Sequence, residues 1–207
     1  MKVLLSVLSI LVFGQQLAAQ SSDPVDKNEG GLFASAGLNL GQSTLAGGDD
    51  TPEAVMGFGA EIGYVVKRDT WGRLEFGLAV DSTDLAFKTK DSPATKVEFS
   101  AFPQLLIKAG YGYSLGSHAF GLFRVGVGIG NGEFSSTNSG VTSSSDASST
   151  ITMLAWDAVF PASDSMDLVI GISSKGYNVS PDDINGVTID SFQVNYQSLY
   201  GQVRIKL

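Results

Sequence analysis

Apolar and polar residues alternate along most of the chain with a period of two. The last segment shows this pattern most clearly, because Leu199, Gly201, Val203, Ile205 and Leu207 alternate with polar residues. Successive side chains of a β-strand point to opposite faces. The segment therefore predicts a strand with one apolar face and one cationic, hydrogen-bonding face.

Seven further alternating segments precede this one. They cover residues 31–42, 55–67, 71–81, 96–113, 118–130, 150–160 and 166–177. Each has roughly 10 residues or more, which is the length that a tilted strand needs to cross a bilayer. Pro103 lies inside the fourth segment and predicts a local bulge there, because proline cannot donate to a strand ladder. The pattern thus predicts eight strands.

The connections between these segments alternate in length. Polar stretches at residues 44–53, 82–95, 131–149 and 178–191 alternate with tight turns at residues 68–70, 114–117 and 161–165. The stretch 131–149 is almost wholly Ser, Thr, Asn, Gly and Asp, so it cannot bury enough apolar area to order itself strongly. An even number of strands with short turns at one end and long loops at the other is typical of outer-membrane barrels.

These features together predict an all-β fold, namely an eight-stranded antiparallel up-and-down transmembrane β-barrel. The competing fold is a soluble lipocalin-like barrel, which requires a polar outer face. Here the charged residues fall on the predicted inner face instead. Composition agrees with the membrane barrel, since no segment after the N-terminal region carries 18 consecutive apolar residues that could form a spanning helix.

The N-terminal region predicts export. Residues 1–19 have a charged start at Lys2, an apolar stretch and small residues before Gln20, as a secretory signal peptide does. We expect residues 20–29 to form a periplasmic lead and residues 20–207 to form the barrel domain. The chain has no cysteine, which excludes disulfides and thiolate metal sites, and its net charge of −8 argues against nucleic acid as a partner.

The chain resembles the small eight-stranded outer-membrane barrels of the OmpA/OmpX class. The resemblance rests on the signal peptide and on the segments VEFSAFPQLLIKAGYGYS, RVGVGIG and YGQVRIKL. It implies that Gly201, Val203, Ile205 and Leu207 form the strand that the barrel-assembly machinery reads, with Leu207 standing where an aromatic residue is usual. It also implies outer-membrane lipid and lipopolysaccharide as surroundings, and we expect a monomer.

Charged residues on the predicted inner face form a candidate polar network. Its members are Glu61, Arg73, Glu75, Asp81, Glu98, Lys108, Arg124, Asp157, Lys175, Arg204 and Lys206. The interior of an eight-stranded barrel is just wide enough for side chains to fill. Buried charges must pair, so these residues are expected to form an ion-paired plug. The alternative is an ion path through the barrel.

Other chemistry has weaker support in the sequence. Loop carboxylates such as Asp49, Asp50 and Asp182 could bind divalent cations, but no loop has the ligand spacing of a calcium site, and solubility explains them as well. His118 is the only histidine and follows Ser117 beside a predicted turn. Neighbouring strand residues face opposite ways, so these two side chains do not form a catalytic pair. We therefore expect no metal, no cofactor and no enzymatic site.

The sequence thus predicts an outer-membrane protein of a Gram-negative bacterium with a filled lumen, four external loops and a non-enzymatic envelope or surface role. A narrow channel for ions or small hydrophobic solutes is the first alternative. A lipid A-modifying enzyme is the second, and the isolated His118 is the feature against it.

Overall fold

The computed structural model describes residues 30–207 except 49, 67–71, 91–94, 117, 118, 185 and 186, and it describes no side chain at 101 and 102. The predicted signal peptide, the lead, the turn at 68–70 and the Ser117–His118 pair lie outside the described residues. The strands are β1 (Gly31–Leu45), β2 (Asp50–Val66), β3 (Arg73–Thr89), β4 (Thr95–Ser114), β5 (Phe120–Asn138), β6 (Val141–Ser163), β7 (Met166–Pro181) and β8 (Phe192–Lys206).

The eight strands form a closed barrel in which each strand pairs antiparallel with the next. The ring closes between β1 and β8, whose pairing runs from Phe33 opposite Lys206 to Leu45 opposite Val194. Closure pairs the backbone groups of the spanning strands, which a β-structure in lipid requires. The predicted fold class is therefore confirmed.

A belt of apolar side chains surrounds the part of the barrel towards the turn end. Ile62 is 63% exposed, Ile107 is 64% exposed and Val127 is 60% exposed, although each lies in the middle of its strand. Such a continuous apolar surface is unfavourable in water and matches the lipid-facing band of a membrane barrel. Among the residues that the structure describes, none belongs to a helix long and apolar enough to span a membrane.

The bulge predicted at Pro103 is present, but its consequence for the faces of β4 was predicted wrongly. Between Ala101 and Gln104 the register with both neighbouring strands shifts, so β4 carries one extra residue there. An extra residue exchanges the two faces of a strand. Phe99 therefore points inwards and is 1% exposed, whereas Leu105 points outwards. By the same exchange, Glu98 does not share the inner face with Gln104 and Lys108.

Three of the four predicted long loops, at 44–53, 82–95 and 131–149, are mostly strand, whereas the stretch 178–191 is strand only as far as Pro181; this is the main correction to the fold. The stretch 131–149 forms the upper part of the β5–β6 hairpin, closed by a two-residue turn in which Ser139 has φ 51° and Gly140 has φ 83°. Positive φ at both positions is what the tightest hairpin turns require. The polar composition did not prevent order, because each hairpin strand continues a strand that is already fixed in the barrel.

Along several strands the polarity of the two faces is inverted above the apolar belt. On β5, outward Ile129 is followed by outward Glu133, while Arg124 is succeeded on the inner face by Phe134. On β7, Ile172 gives way to exposed Asn178 outside, and Lys175 to buried Val179 inside. The lower half of the barrel is therefore mainly polar inside and apolar outside, apart from a small buried apolar cluster of Phe120, Leu122, Val159 and Val169 near the turns, and the upper half is the reverse.

Candidate functional site

The lower half of the lumen, towards the turns, is filled mainly by charged side chains. We call this region the ionic half; five buried acids and five buried bases form it. They are Glu61, Glu75, Asp81, Asp157, Asp167, Arg73, Lys108, Arg124, Lys175 and Arg204. Equal numbers of opposite charges allow each to be compensated, which a buried charge requires.

Arg124 on β5 joins the acids at the centre of the ionic half. Its Nη1 donates to Glu61 Oε2 at 2.8 Å and its Nε donates to Asp157 Oδ2 at 2.6 Å. Lys108 Nζ lies 3.2 Å from the same Glu61 oxygen, and the Tyr200 hydroxyl donates to Asp157. The Arg124 guanidinium group thus contacts β2 and β6 directly, through Glu61 and Asp157. It is linked to β4 and β8 through Lys108 and Tyr200, which bind these two carboxylates.

A second cluster lies nearer the turns and centres on Glu75. Arg204 binds this carboxylate with two nitrogens, Nη1 to Oε1 at 2.9 Å and Nη2 to Oε2 at 3.0 Å. Arg73 donates to the same carboxylate. The Arg204 guanidinium also lies 4.2 Å from the centroid of the Phe33 ring. Bidentate pairing and aromatic contact use the planar geometry of arginine, which lysine cannot reproduce.

Glycines on the inner face make room for these charged groups. A Cβ on Gly171 would collide with the Asp157 carboxylate and the Tyr200 ring, and one on Gly77 would collide with the Glu61 carboxylate. The strand backbone must approach the ionic cluster closely at these two positions, which only glycine permits.

Most predicted network residues meet in the ionic half, but two stand apart. Glu98 has a 42% exposed side chain and pairs with Lys96 Nζ at 2.7 Å near the loop end, because the β4 bulge turns it away from the lumen. Lys206 lies at the turn end, is 27% exposed and is 3.3 Å from Asp167. The remaining ion pair joins Lys175 Nζ to Asp81 Oδ2 at 2.6 Å.

Sequence reasoning missed two members of the ionic half. Asp167 is 1% exposed, and Tyr200 donates to Asp157. Both lie on the inner faces of their strands by simple alternation, Asp167 in phase with Gly171 and Tyr200 in phase with Arg204. The alternation of residues along β7 and β8 was therefore sufficient to place both side chains inside the barrel. Asp167 was overlooked because it stands next to a turn, where charged residues are usually solvated.

The upper half of the lumen, towards the loops, is filled by apolar side chains. We call it the apolar half. Its buried members include Leu85, Phe87, Phe99, Phe134, Ala147, Ile151, Val179 and Val194. Ile184 and Ile189, from the connection between β7 and β8, pack against this cluster from the loop end. The connection thus covers the mouth of the barrel.

A layer of neutral hydrogen bonds separates the two halves. The Tyr177 hydroxyl donates to Gln104 Oε1 at 2.9 Å, and the Tyr196 hydroxyl donates to Asn39 Oδ1 at 2.7 Å. Below this layer a cavity of about 30 Å³ lies between Asn39, Arg124 and Gln202. A space of that size holds about one water molecule. It is far too small to form part of an open pore.

The wall between β2 and β3 is interrupted at the level of the apolar half. The register between these strands shifts between Pro52 and Gly57. Ser43 of β1 reaches across, accepting from Ala86 N at 2.9 Å and donating to Ala86 O at 2.7 Å. The backbone groups of Ala86 are thereby satisfied without β2, so the bulge does not leave them unpaired.

Charged residues outside the lumen gather where β2, β3 and β4 approach the loop end. Lys88 Nζ lies 2.7 Å from Glu53 Oε1, and Lys96 Nζ lies 3.8 Å from Glu53 Oε2. The hydrogen bond from Lys88 lowers the pKa of Glu53, and the hydrogen bond to Glu98 raises the pKa of Lys96. Within the described part of the chain, no group of three or more His, Cys, Asp or Glu side chains is placed to hold a metal ion.

No protein-family model matches this sequence, and no curated protein matches it. Among solved structures, Neisserial surface protein A (NspA) is similar at 18% identity and a TM-score of 0.52, over 86% of this chain and 99% of that chain. This chain has the fold of the small outer-membrane β-barrels. Ail of Yersinia pestis, in complex with the heparin analogue sucrose octasulfate, is 15% identical over 85% of this chain and 99% of its own, with a TM-score of 0.46.

Within this fold, the predicted assembly-signal residues lie on the outer face of β8. Val203 is 47% exposed and Ile205 is 51% exposed, as expected of side chains that contact lipid. Gly201 and Leu207 are exposed on the same face. That the assembly machinery reads this strand remains a prediction.

Proposed function

We propose that the chain is an integral outer-membrane protein of a Gram-negative bacterium, with a closed barrel that anchors its loop-end hairpins at the cell surface. Its role is non-enzymatic, either structural or by binding through these hairpins. The observation that carries this proposal is the filling of the lumen by two different layers in series. A barrel closed in this way does not pass solutes through its lumen, so its function lies at its surface.

Two arrangements support this proposal over a channel. An ion crossing the barrel would first have to break pairs such as Arg124 with Asp157 at 2.6 Å, and would then have to enter the apolar half without water. A hydrophobic solute would pass the apolar half but meet the ionic half. Each half blocks the solute that the other half would admit.

Single-channel recording of the refolded protein in a planar bilayer tests closure. We expect no conductance steps from protein shown to be folded and inserted. Steady, reproducible openings of one size would contradict the closed barrel and favour the channel. Protease protection of the refolded protein in lipid vesicles, prepared from the same sample, checks that it is folded and inserted.

Epitope insertion tests which end of the barrel faces outwards. A tag between Ser139 and Gly140, in the β5–β6 turn, is expected to bind antibody on intact cells. The matched control is the same tag between Asp164 and Ser165 in the turn between β6 and β7, which should bind only after lysis. The opposite result for the two tags would place the loop end in the periplasm.

The surroundings of the protein follow from this placement. We propose that outer-membrane lipid covers the apolar belt, that lipopolysaccharide surrounds the loop end, and that the barrel is inserted by the assembly machinery as a monomer. The cleaved signal peptide at residues 1–19 belongs to the same proposal.

A further inference from the structure

A large hollow interrupts the apolar belt on the part of the wall that β1 to β5 form. Its volume is about 660 Å³, which lies within the range of small-molecule sites. It opens on the outer wall, because Ile62, Leu78 and Ile107 line it and each of these side chains is more than half exposed. We call this hollow the belt groove.

The belt groove lies between two rows of outward side chains on β2, β3, β4 and β5. Cross-strand pairing forms one row from Tyr64, Phe76, Ala109 and Val125, and the next row from Ile62, Leu78, Ile107 and Val127. The residues between the two rows point into the lumen, so the floor of the groove is strand backbone. These residues are Gly63, Gly77, Lys108 and Gly126.

Ala109 makes the groove deep at the middle of its length. Its neighbours in the row are Phe76, which is 51% exposed, and Val125, which is 47% exposed. A single methyl group between two larger side chains leaves a gap in the wall. Apolar atoms that line a gap lose their van der Waals contacts unless another molecule fills it. The groove therefore favours an occupant that matches its shape.

The chemistry of the belt groove selects a hydrocarbon chain. The Lys108 ammonium group lies in the lumen, 3.2 Å from Glu61 Oε2, so it does not face the groove. A polypeptide segment would bring N–H and C=O groups that need partners in the membrane, and the two rows offer none along their length. A second copy of this chain, related by a two-fold axis, would set hollow against hollow and leave both unfilled.

The direction and length of the belt groove match one leaflet. It crosses from β1 to β5, four steps of about 4.8 Å each, or about 19 Å. Strands of membrane barrels tilt by about 40°, so a line across them climbs by about 12 Å, which is half of an apolar band about 25 Å tall. The groove begins at Leu32, the second residue of β1, and ends at Val127, well inside β5. It thus extends from the turn-end margin of the belt to the middle.

Tyr64 marks the end of the groove at which the polar part of a lipid would lie. It stands two residues from the turn end of β2 and is 50% exposed. A tyrosine at the margin of a membrane keeps its ring in the hydrocarbon and its hydroxyl at the level of the headgroups. The groove therefore has a polar end and an apolar end, as a lipid chain with its ester group does.

We propose that the belt groove binds one acyl chain of a phospholipid from the leaflet at the turn end. The two rows hold the chain along its length, and the Tyr64 hydroxyl faces its ester region. Phospholipid is the occupant because lipopolysaccharide surrounds the opposite, loop end in the proposed orientation. This inference rests on the proposed placement in the outer membrane and gives the apolar belt a defined ligand.

Native mass spectrometry of the refolded full chain in detergent micelles tests the site. The probe is palmitoyl-oleoyl phosphatidylethanolamine. We expect saturable binding of one lipid per barrel, and equal binding of the phosphatidylcholine with the same chains, because the groove holds the chain. Dihexanoyl phosphatidylcholine is too short to fill the groove and should bind at least tenfold more weakly. Equal binding of long and short chains, or binding of no lipid, would overturn the proposal.

Two alanine variants provide a matched comparison. Ala109→Phe places a ring in the middle of the groove and should weaken phospholipid binding at least tenfold. Ala36→Phe places the same ring on an exposed alanine of β1 outside the groove and should leave binding unchanged. Equal binding by both variants would contradict the site. If Ala109→Phe does not refold, the chain-length comparison makes the same distinction on the unchanged protein.

Two further outcomes separate this site from its alternatives. Tighter binding of lipid A than of the phospholipid would make the loop-end leaflet the source of the chain and overturn the proposal. If the tag at Ser139–Gly140 is labelled only after lysis while the phospholipid still binds, the surface function fails and the acyl-chain site stands. If the tag is labelled on intact cells and no phospholipid binds, the reverse holds.

Discussion

The ionic half and the apolar half of the lumen lie in the same barrel but follow opposite rules. In the ionic half, the wall outside is apolar, and Arg124 binds Glu61 and Asp157 inside. In the apolar half, the wall outside carries residues such as Glu133, and Phe134 packs inside. Each half places apolar groups where water is absent and polar groups where the surroundings or a partner can satisfy them.

The difference teaches that the solvent outside the wall decides what fills the lumen. Where lipid covers the wall, the outward positions must be apolar, so polar residues are left for the inside and must pair. Where water covers the wall, the strands behave as those of a soluble barrel and bury an apolar core. The lumen is consequently closed by two unrelated kinds of packing.

The largest expected difference between the two halves is the loss of stability after a shape-conserving substitution, which should be large in the ionic half and small in the apolar half. Glu75→Gln keeps the side-chain volume but leaves Arg73 and Arg204 buried without their counter-charge. We expect a loss of about 3 to 5 kcal/mol in the free energy of unfolding, because breaking a buried pair strands a charge. Urea unfolding of the refolded protein in lipid vesicles measures it. The control Glu98→Gln, in an exposed pair, should cost below about 1 kcal/mol, and equal losses in the two variants would remove the distinction.

The apolar half should tolerate a change of shape but not a loss of volume. Leu85 is 1% exposed within the apolar cluster. We expect Leu85→Ala to cost about 2 to 4 kcal/mol through the cavity it leaves, and Leu85→Met to cost below about 1.5 kcal/mol because the volume is kept. The same urea titration applies. A large loss for Leu85→Met would mean that this half is as position-specific as the ionic half.

The smallest expected effect lies outside both halves, at Glu53. Its pKa is lowered from the ordinary value of 4.5, first by the hydrogen bond from Lys88. A lowered folded-state pKa means that the stabilisation is complete above about pH 4.5 and is lost as the pH falls through the folded-state value. We expect Glu53→Gln to cost below about 1 kcal/mol at pH 7, and the difference from the unchanged protein to shrink below pH 4. A difference that grows with acidity would contradict the pairing.

The alternation of residues was enough to predict the eight strands and their closure into a barrel, because the period of two persists in the lipid-covered part of every strand. The phase of that alternation carried further information that was not used. On β8, Val194 and Tyr196 are in one phase and Leu199 and Val203 are in the other, with no register shift against β7. Such a phase change without a bulge marks the boundary between lipid and water.

The places where prediction failed have physical causes. A bulge was expected at Pro103, but the sequence does not show how many residues the bulge adds. Without that number, the residues before the bulge cannot be assigned to the same face as those after it. Glu98 was therefore assigned to the lumen together with Lys108. The stretch 131–149 was predicted to be a loop from its composition. Its order comes instead from neighbouring strands, since β4 extends to Thr95 opposite Asn138. The composition of a segment does not show whether neighbouring strands will pair with it and order it.

The central claim, inversion of the wall at the boundary between the two halves, is tested most directly by lipid contact along β7. The chain has no cysteine, so single cysteines at Ile170, Ile172 and Asn178 can be labelled with a fluorophore without side reactions. Brominated lipids should quench the label at Ile170 and Ile172 and leave the label at Asn178 unquenched. Equal quenching at all three positions would place the apolar half inside the membrane and contradict the account.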